Sequence, residues 1–303
     1  MPLRLATRGS PLALWQAGHV ASLLETAHPG LEVELVRVTT AGDRRPELPV
    51  WQIGGRGVFV REVQAALIAG EADAAVHSAK DLQPVDPPGL CLAAVPERGD
   101  PRDALVGAKL SELAPGATVA TGSQRRQAQL AFLRPDLAFV SLRGNISTRL
   151  ARVPPGGAVV VAMAALDRLG LAPAPMDVLD VGIMLPQVAQ GALAIECRAD
   201  DGPTCELVKQ LDEPRSRLCV DAERSFLASI GGACDLPVAG HAIITPDGRL
   251  ELEGLLAAPD GSVLVRRKAT GPVGDGARLG AEVARKVLND GGGDLLAARG
   301  ERR

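Results

Sequence analysis

"LRLATRGSPLALWQAGHVASLLETAHPGLEVELVRVTT", Leu3 to Thr40, reads as strand, helix, strand. "LRLAT" is a short apolar run. Ser10 and Pro11 then supply an N-cap and a first helical residue. Apolar residues recur at helical spacing through "PLALWQAGHVASLLETAH", and "LEVELVRVTT" is a second strand. The alternation continues with a helix in "GVFVREVQAALIAG" and a strand in "ADAAVHS". After "ERGDPRDALVG" a second series begins. It runs "ATVATGS" strand, "RRQAQLAFL" helix, "AFVSL" strand, "ISTRLARV" helix, "AVVVAM" strand and "AALDRLGL" helix. Strands this apolar, spaced by helices, predict parallel sheets covered on both faces.

The Pro/Gly-rich "VPERGDPRD" predicts a hinge between the series, at Pro96–Pro101. "ALAIECR" is a further strand candidate that returns the chain to the first sheet. From about Pro214 the pattern changes: helix "RLCVDAERSFLASI", hairpin-like strands "AGHAIIT", "RLELEGLLAAP" and "SVLVRRKAT", and a final helix "ARLGAEVARKVLND". The glycine-rich tail segment around "DGGGD" reads as loop. A chain of 303 residues has room for two or three cores. The expected architecture is α/β, with domain 1 over 1–97 and 190–211, domain 2 over 98–189, and an α+β domain 3 over 212–303.

The chain is 46% hydrophobic and 23% charged with a net charge of −3, the balance of a soluble globule. Nucleic-acid binders usually show a strongly basic face, so no nucleic-acid partner is expected. Any anionic partner must be met by clustered arginines instead. No apolar run approaches the ~18 residues of a membrane span. "MPLRLATRGS" carries no signal-peptide apolar region, so a cytoplasmic location is expected. The cysteines number five, Cys91, Cys197, Cys205, Cys219 and Cys234, with no CxxC pair. Neither a disulfide framework nor a zinc site follows, and no metal is expected. No exposed apolar stripe is evident, which favours a monomer.

Three strand-to-helix turns carry arginine. Arg8 follows the first strand and precedes Ser10; Ser123 is a cap candidate, with Arg125 and Arg126 in the first helical turn; Arg143 precedes Gly144 and Asn145, with Arg149 about a turn further on. A cation near a helix N-terminus is disfavoured by roughly 0.3–1 kcal/mol. Each arginine alone could be a solvated surface group. Three such turns together point to an anion, and guanidinium suits bidentate carboxylate or phosphate binding. Ligands of open α/β sheets bind at the carboxyl ends of strands.

"AVHSAKDLQP" puts Lys80 and Asp81 at such an end. A carboxylate among arginines stays ionised, so Asp81 can oppose a developing cation but cannot donate a proton at neutral pH. His77 reads as a satisfied, partly buried histidine. Cys234, in "GGACDLP", stands in a loop after two glycines, where a thiol is either unremarkable or exposed for covalent attachment.

These segments together resemble the hydroxymethylbilane synthase (porphobilinogen deaminase) family over nearly the whole chain. They are "LRLATRGSPLALWQA", "VHSAKD", "ERGDPRDA", "GSQRRQAQL", "SLRGNISTRL", "LDRLGL", "AQGALAIECR" and the Gly-Gly-Ala-Cys stretch. The resemblance implies a transferase of tetrapyrrole (haem) biosynthesis. It would join four porphobilinogen molecules on a dipyrromethane cofactor bound through a thioether, then release hydroxymethylbilane by hydrolysis. It implies Cys234 as the attachment point and Asp81 as the catalytic carboxylate, with Lys80 beside it. Ser123, Arg125, Arg126 and Arg143 would hold the cofactor together with Asp81 and Lys80. Arg8, Ser10, Arg149 and Arg168 would bind substrate. The family's first two domains resemble periplasmic binding proteins, with a cleft between them. Departures from the usual pattern are Gln83 for a common proline, Gly122 and Gln124 in "TGSQRRQ", Arg56 for a lysine, and the alanine before Cys234.

The alternative is a two-lobed anion-binding protein of periplasmic type, disfavoured by the third domain and the missing signal segment. A nucleotide-binding enzyme fits less well, since no GxGxxG or P-loop follows a strand.

Overall fold

The computed structural model describes residues 2–44, 57–231 and 237–300, the last three without side chains. First come β1 (Leu3–Arg8), α1 (Pro11–Ala27), β2 (Val33–Val38), α2 (Ala41–Arg44), α3 (Arg61–Ile68), β3 (Ala74–Ser78) and β4 (Leu90–Ala94). Next are β5 (Asp103–Val106), β6 (Thr118–Ala120), α4 (Gln124–Leu133), β7 (Ala138–Val140), α5 (Ile146–Leu150), β8 (Ala158–Ala162), α6 (Met163–Arg168) and β9 (Met176–Leu179). The chain ends with β10 (Leu193–Arg198), α7 (Gly202–Lys209), α8 (Pro214–Ser229), β11 (Val238–Ile244), β12 (Arg249–Ala257), β13 (Leu264–Pro272), α9 (Gly276–Val287) and α10 (Gly293–Gly300).

Two compact units result. One comprises Met1–Gly99, Asp167–Leu171 and Gly191–Arg217; the other comprises Asp100–Leu166, Ala172–Gln190 and Leu218–Arg303. The sheet of the first runs β2-β1-β3-β10-β4. Strand alternation divides its apolar side chains between two faces. Leu5 packs with Ala17, Val20 and Leu24 of α1 and Val208 of α7, while its neighbour Ala6 packs with Val63 and Leu67 of α3. Both faces are therefore covered, which is why these strands read as nearly unbroken apolar runs. Burying each such leucine or valine contributes about 1.5–3 kcal/mol.

The second unit holds a five-stranded sheet in the order β7-β6-β8-β5-β9 and a three-stranded antiparallel sheet, β11-β12-β13. Ala128 of α4 shares a core with Leu185, Ala239 of β11, and Leu255 and Ala257 of β12. The small sheet thus packs on the helix whose first turn carries Arg125 and Arg126.

Parallel sheets were expected, and both five-stranded sheets are mixed. β1 is parallel to β2 and β3, but β10 runs antiparallel to β3 and β4. Likewise β6 is parallel to β7 and β8, but β5 runs antiparallel to β8 and β9. The reversed strand in each sheet, β10 or β5, follows directly on a passage of the chain from the other unit. Its direction follows from a long-range crossing, which local periodicity does not encode. The tail around "DGGGD" is also more ordered than a loop: the chain kinks at Asp290 and Gly291, and α10 begins at Gly293.

Candidate active site

In the first unit, parallel β1 and β3 end at one edge of the sheet, which brings Arg8 to the same edge as the 3₁₀ turn Ala79–Asp81. The start of antiparallel β10 joins them, with Leu193 opposite Ser78. The Ala79 N–H donates to the Ala192 carbonyl at 3.0 Å, fixing the turn. Gln16 of α1 donates to Ser78 Oγ at 2.9 Å. One residue before Ser78, His77 Nε2 lies 2.9 Å from Glu196 Oε2, and both side chains are buried. Gln64 donates to both Glu196 oxygens. Lys80 and Asp81 thus project half-buried from a turn clamped on three sides. Among the described residues, no hydrogen bond or ion pair takes the Asp81 carboxylate.

Ser10 caps α1 as expected, its Oγ accepting from the Ala13 N–H at 3.3 Å. Arg8 has an internal anion: Nε donates to Asp43 Oδ2 at 3.2 Å, Nη2 donates to Oδ1, and the guanidinium lies 4.2 Å from the centroid of the Phe59 ring. Burial would raise the Asp43 pKa, but hydrogen bonds from Arg8 and Thr40 outweigh it and hold the carboxyl below its usual range. Arg168 donates to the Gly191 carbonyl at 2.6 Å, at the same sheet edge, and lies 5.9 Å from the Trp15 ring. Burial lowers its pKa to about 10, against the pull of Asp167, so it remains charged at neutral pH.

In the second unit the carboxyl ends of parallel β6, β7 and β8 share one edge, and they carry the Ser123, Arg143 and α6 turns respectively. Asp103, the first residue of β5, pairs with Ala162 at the end of β8 and so lies at that edge too. It is fully buried and takes both arginines of the α4 first turn. Arg125 Nη2 donates to Oδ2 at 2.7 Å; Arg126 Nε and Nη2 donate to Oδ1 at 3.1 and 2.7 Å. The remaining Nη atoms reach backbone carbonyls, Arg125 to Leu185 and Arg126 to Val160. Burial alone would raise the Asp103 pKa. The charges of Arg125 and Arg126, with hydrogen bonds from Arg126 and Gln190, reverse that and keep it ionised below the usual carboxylate range. Burial, partly offset by Asp103, lowers the Arg125 pKa.

Ser123 holds the N-cap position of α4, but no capping bond from its side chain forms there among the described residues. Asn145 does cap α5, accepting from the Thr148 N–H at 2.9 Å. Gly144 adopts φ +115°, where any side chain would be strained, and a Cβ there would collide with Thr148. That turn points the Gly144 carbonyl at Arg149 Nε, 2.9 Å away. Gly122 has a packing reason: a Cβ would lie 2.6 Å from the Leu142 carbonyl oxygen. The glycine lets the β6 and β7 turns approach closely, which explains one departure from the pattern. Cys234 and Arg56 lie outside the described residues.

The structure therefore brings Arg8, Ser10, Lys80, Asp81 and Arg168 to one edge, and Ser123, Arg125, Arg126, Arg143 and Arg149 to another. Sequence reasoning missed Asp43 and Asp103, the internal anions, and Gln190, whose Nε2 donates to Asp103 Oδ1 at 2.8 Å. The "DPRDALV" aspartate fell in a stretch read as hinge, and so went unweighed.

Guanidinium groups held at the strand ends of two α/β sheets, with a small antiparallel sheet following, define a mixed α/β protein with arginine-bearing sheet edges. The sequence profile described as "Porphobilinogen deaminase, dipyromethane cofactor binding domain" matches residues 3–206, and "Porphobilinogen deaminase, C-terminal domain" matches 217–289. A porphobilinogen deaminase of Nitratidesulfovibrio vulgaris (strain Miyazaki F) is 46% identical, over 97% of this chain and 96% of its own length. One of Syntrophotalea carbinolica is 44% identical, over 98% and 95% respectively. Among solved structures, the periplasmic aliphatic sulphonate binding protein of Escherichia coli matches at 16% identity with a TM-score of 0.36, over 75% of this chain and 69% of that one. The chain belongs to the porphobilinogen deaminase family.

Proposed function

We propose that this chain is a hydroxymethylbilane synthase. It joins four porphobilinogen molecules with loss of ammonia at each addition, on a dipyrromethane cofactor attached to Cys234, and then releases the linear tetrapyrrole by hydrolysis. The observation that carries this reading is the family match, whose cofactor-binding-domain profile spans Asp81 and every assigned arginine. The three-domain division at 97/98, 189/190 and 211/212, a cytoplasmic location, a monomeric state and the lack of a nucleic-acid partner belong to the same proposal. No described helix is long and apolar enough to cross a membrane.

The residues fit a dipyrromethane. Each of its rings bears an acetate and a propionate, and the α4 turn carries a surplus of buried positive charge to receive them. Two guanidinium groups there share one carboxylate, and Arg125 Nε is buried without a hydrogen-bond partner among the described residues. Ser123, Arg125, Arg126 and Arg143 would hold those carboxylates, with Lys80 and Asp81 assisting. When bound, the group supplies the anchored end to which pyrrole units are added. Asp81 accepts hydrogen bonds from pyrrole N–H groups and opposes the cation left when ammonia departs from porphobilinogen. That is charge stabilisation aimed at the transition state. Lys80 stands beside Asp81 on the same turn. Arg8, Ser10, Arg149 and Arg168 meet the acidic side chains of incoming substrate.

Intact mass before and after adding porphobilinogen tests the reading. The purified chain is expected to exceed its polypeptide mass by one dipyrromethane and to show a ladder of added pyrrole units, and Cys234→Ala to show neither. A bare polypeptide mass with reversible binding of a small anion would establish the receptor alternative instead.

A further inference from the structure

We propose that Asp103 is a positioning residue for this reaction: its buried carboxylate, steadied by Gln190, orients Arg125 and Arg126 toward the acidic side chains they bind. The proposal rests on the function given above. Asp103 has no exposed surface, and the two arginine side chains are 5% and 6% exposed. One carboxylate splits its oxygens between them, Oδ2 to Arg125 and Oδ1 to Arg126.

A merely structural ion pair does not explain this arrangement. Buried ion pairs are weak sources of stability, and well-packed apolar residues often do as well or better. Two guanidinium groups against one carboxylate leave a positive charge uncompensated in a buried place. A sequence shaped for stability alone would omit one arginine or add a second acid. Of the five N–H donors on each guanidinium, Arg125 engages two internally and Arg126 three. The rest remain for an incoming anion, with both groups already immobile. Planar guanidinium groups gain most from such preorganisation, because bidentate binding requires a fixed fork.

Gln190 extends the network. Besides Asp103 Oδ1, its Nε2 reaches the Pro101 carbonyl at 2.8 Å. Ala189, just before it, takes φ +60°, unusual for a residue with a side chain. The Ala189 N–H is held by Glu223 Oε2 of α8 at 2.6 Å. The orientation of the arginine pair is thus tied to α8.

Asp103→Asn and Gln190→Ala test this on the full-length chain. Three quantities are read: the fraction of purified protein carrying dipyrromethane by intact mass, KM and kcat of the loaded fraction, and the melting temperature. For Asp103→Asn we expect a reduced loaded fraction and a KM for porphobilinogen raised roughly 10–100-fold, the range seen when a partner that orients a ligating group is removed. The kcat should change less. Gln190→Ala should shift both quantities the same way by a smaller factor. If Asp103→Asn melts lower but loads fully and keeps its KM, Asp103 is only structural and the proposal is overturned. If Asp103→Asn does not fold, Gln190→Ala decides: wild-type loading and KM overturn the proposal, and reduced loading with raised KM supports it. A wild-type chain that carries no dipyrromethane defeats the underlying function instead, a distinct result.

Discussion

The two five-stranded sheets share a strand plan, three parallel strands followed by a reversed strand and one more, yet they hold their arginines differently. At the first sheet's edge Arg8 pairs with Asp43 in partial contact with solvent, their side chains 22% and 25% exposed. At the second, Arg125 and Arg126 are sealed against Asp103. The same charges therefore do different work. On the function proposed above, the first edge would keep a half-buried carboxylate, Asp81, available to answer charge that appears during reaction. The second would serve as a receptor whose charges are fixed in advance by a buried carboxylate. Strand order places a residue, but the dielectric around it decides whether its charge responds or stays fixed.

The largest effect should come from breaking the responsive edge. Asp81→Asn is expected to lower turnover by roughly 10²–10³-fold, the usual loss when one electrostatic stabiliser is removed. Its melting temperature should stay near that of the wild type, because no described side chain depends on that carboxylate. Steady-state bilane formation alongside a melting curve checks both.

The comparison itself is sharpened by making one substitution at both edges. Asp103→Asn removes a carboxylate shared by two buried guanidinium groups and should cost about 3–5 kcal/mol of unfolding free energy. Asp43→Asn breaks a pair that water partly screens and should cost about 1 kcal/mol or less. Denaturant unfolding of the two variants gives the ratio directly; equal losses would mean the edges do not differ as described.

Acid supplies the subtlest test. Asp103 and Asp43 both have folded pKa values below their ordinary ones. A carboxyl depressed on folding contributes its full stability above the unfolded value, near 3.9, and loses it as pH falls through the folded value. The wild-type unfolding midpoint should therefore drop below about pH 4, where the unfolded chain takes up protons first. Asp103→Asn should show a shallower drop over the same range. Urea midpoints measured between neutral pH and pH 3 would reveal it.

Much of this architecture was legible in the sequence, because strands covered on both faces and capped helices leave local marks. Ser10 and Pro11 marked the start of α1, and "AVVVA" marked a central strand. β4, β5, β9 and α7 were missed. "DALV" and "MDVL" are four-residue strands beside proline-rich segments, too short to show a period. Arginine at the helix starts pointed to an anion, and Arg8, Arg125 and Arg126 each meet an internal carboxylate. That the first anions are Asp43 and Asp103 needed the fold, since Arg8 and Asp43 stand 35 positions apart and Arg126 and Asp103 stand 23 apart. Three cysteines that look scattered also converge. Cys197 faces Cys91 across the β10–β4 ladder, and the sulfurs of Cys91 and Cys205 are 3.7 Å apart. Burial, with a hydrogen bond to Cys205, pushes the Cys91 thiol up to about 11, so Cys91 stays protonated and unreactive at neutral pH.

The crossing strands also dictate an order of manufacture. β4 has a single neighbour in its sheet, β10, which lies about a hundred residues later in the chain. While the ribosome is still making the second α/β segment, β4 has no ladder to join and the first sheet stops at three strands. The amino-terminal half must wait, partly assembled, until Arg198 has emerged. A shortened transcript that ends before β10 would yield neither a complete first unit nor a protected β4 edge.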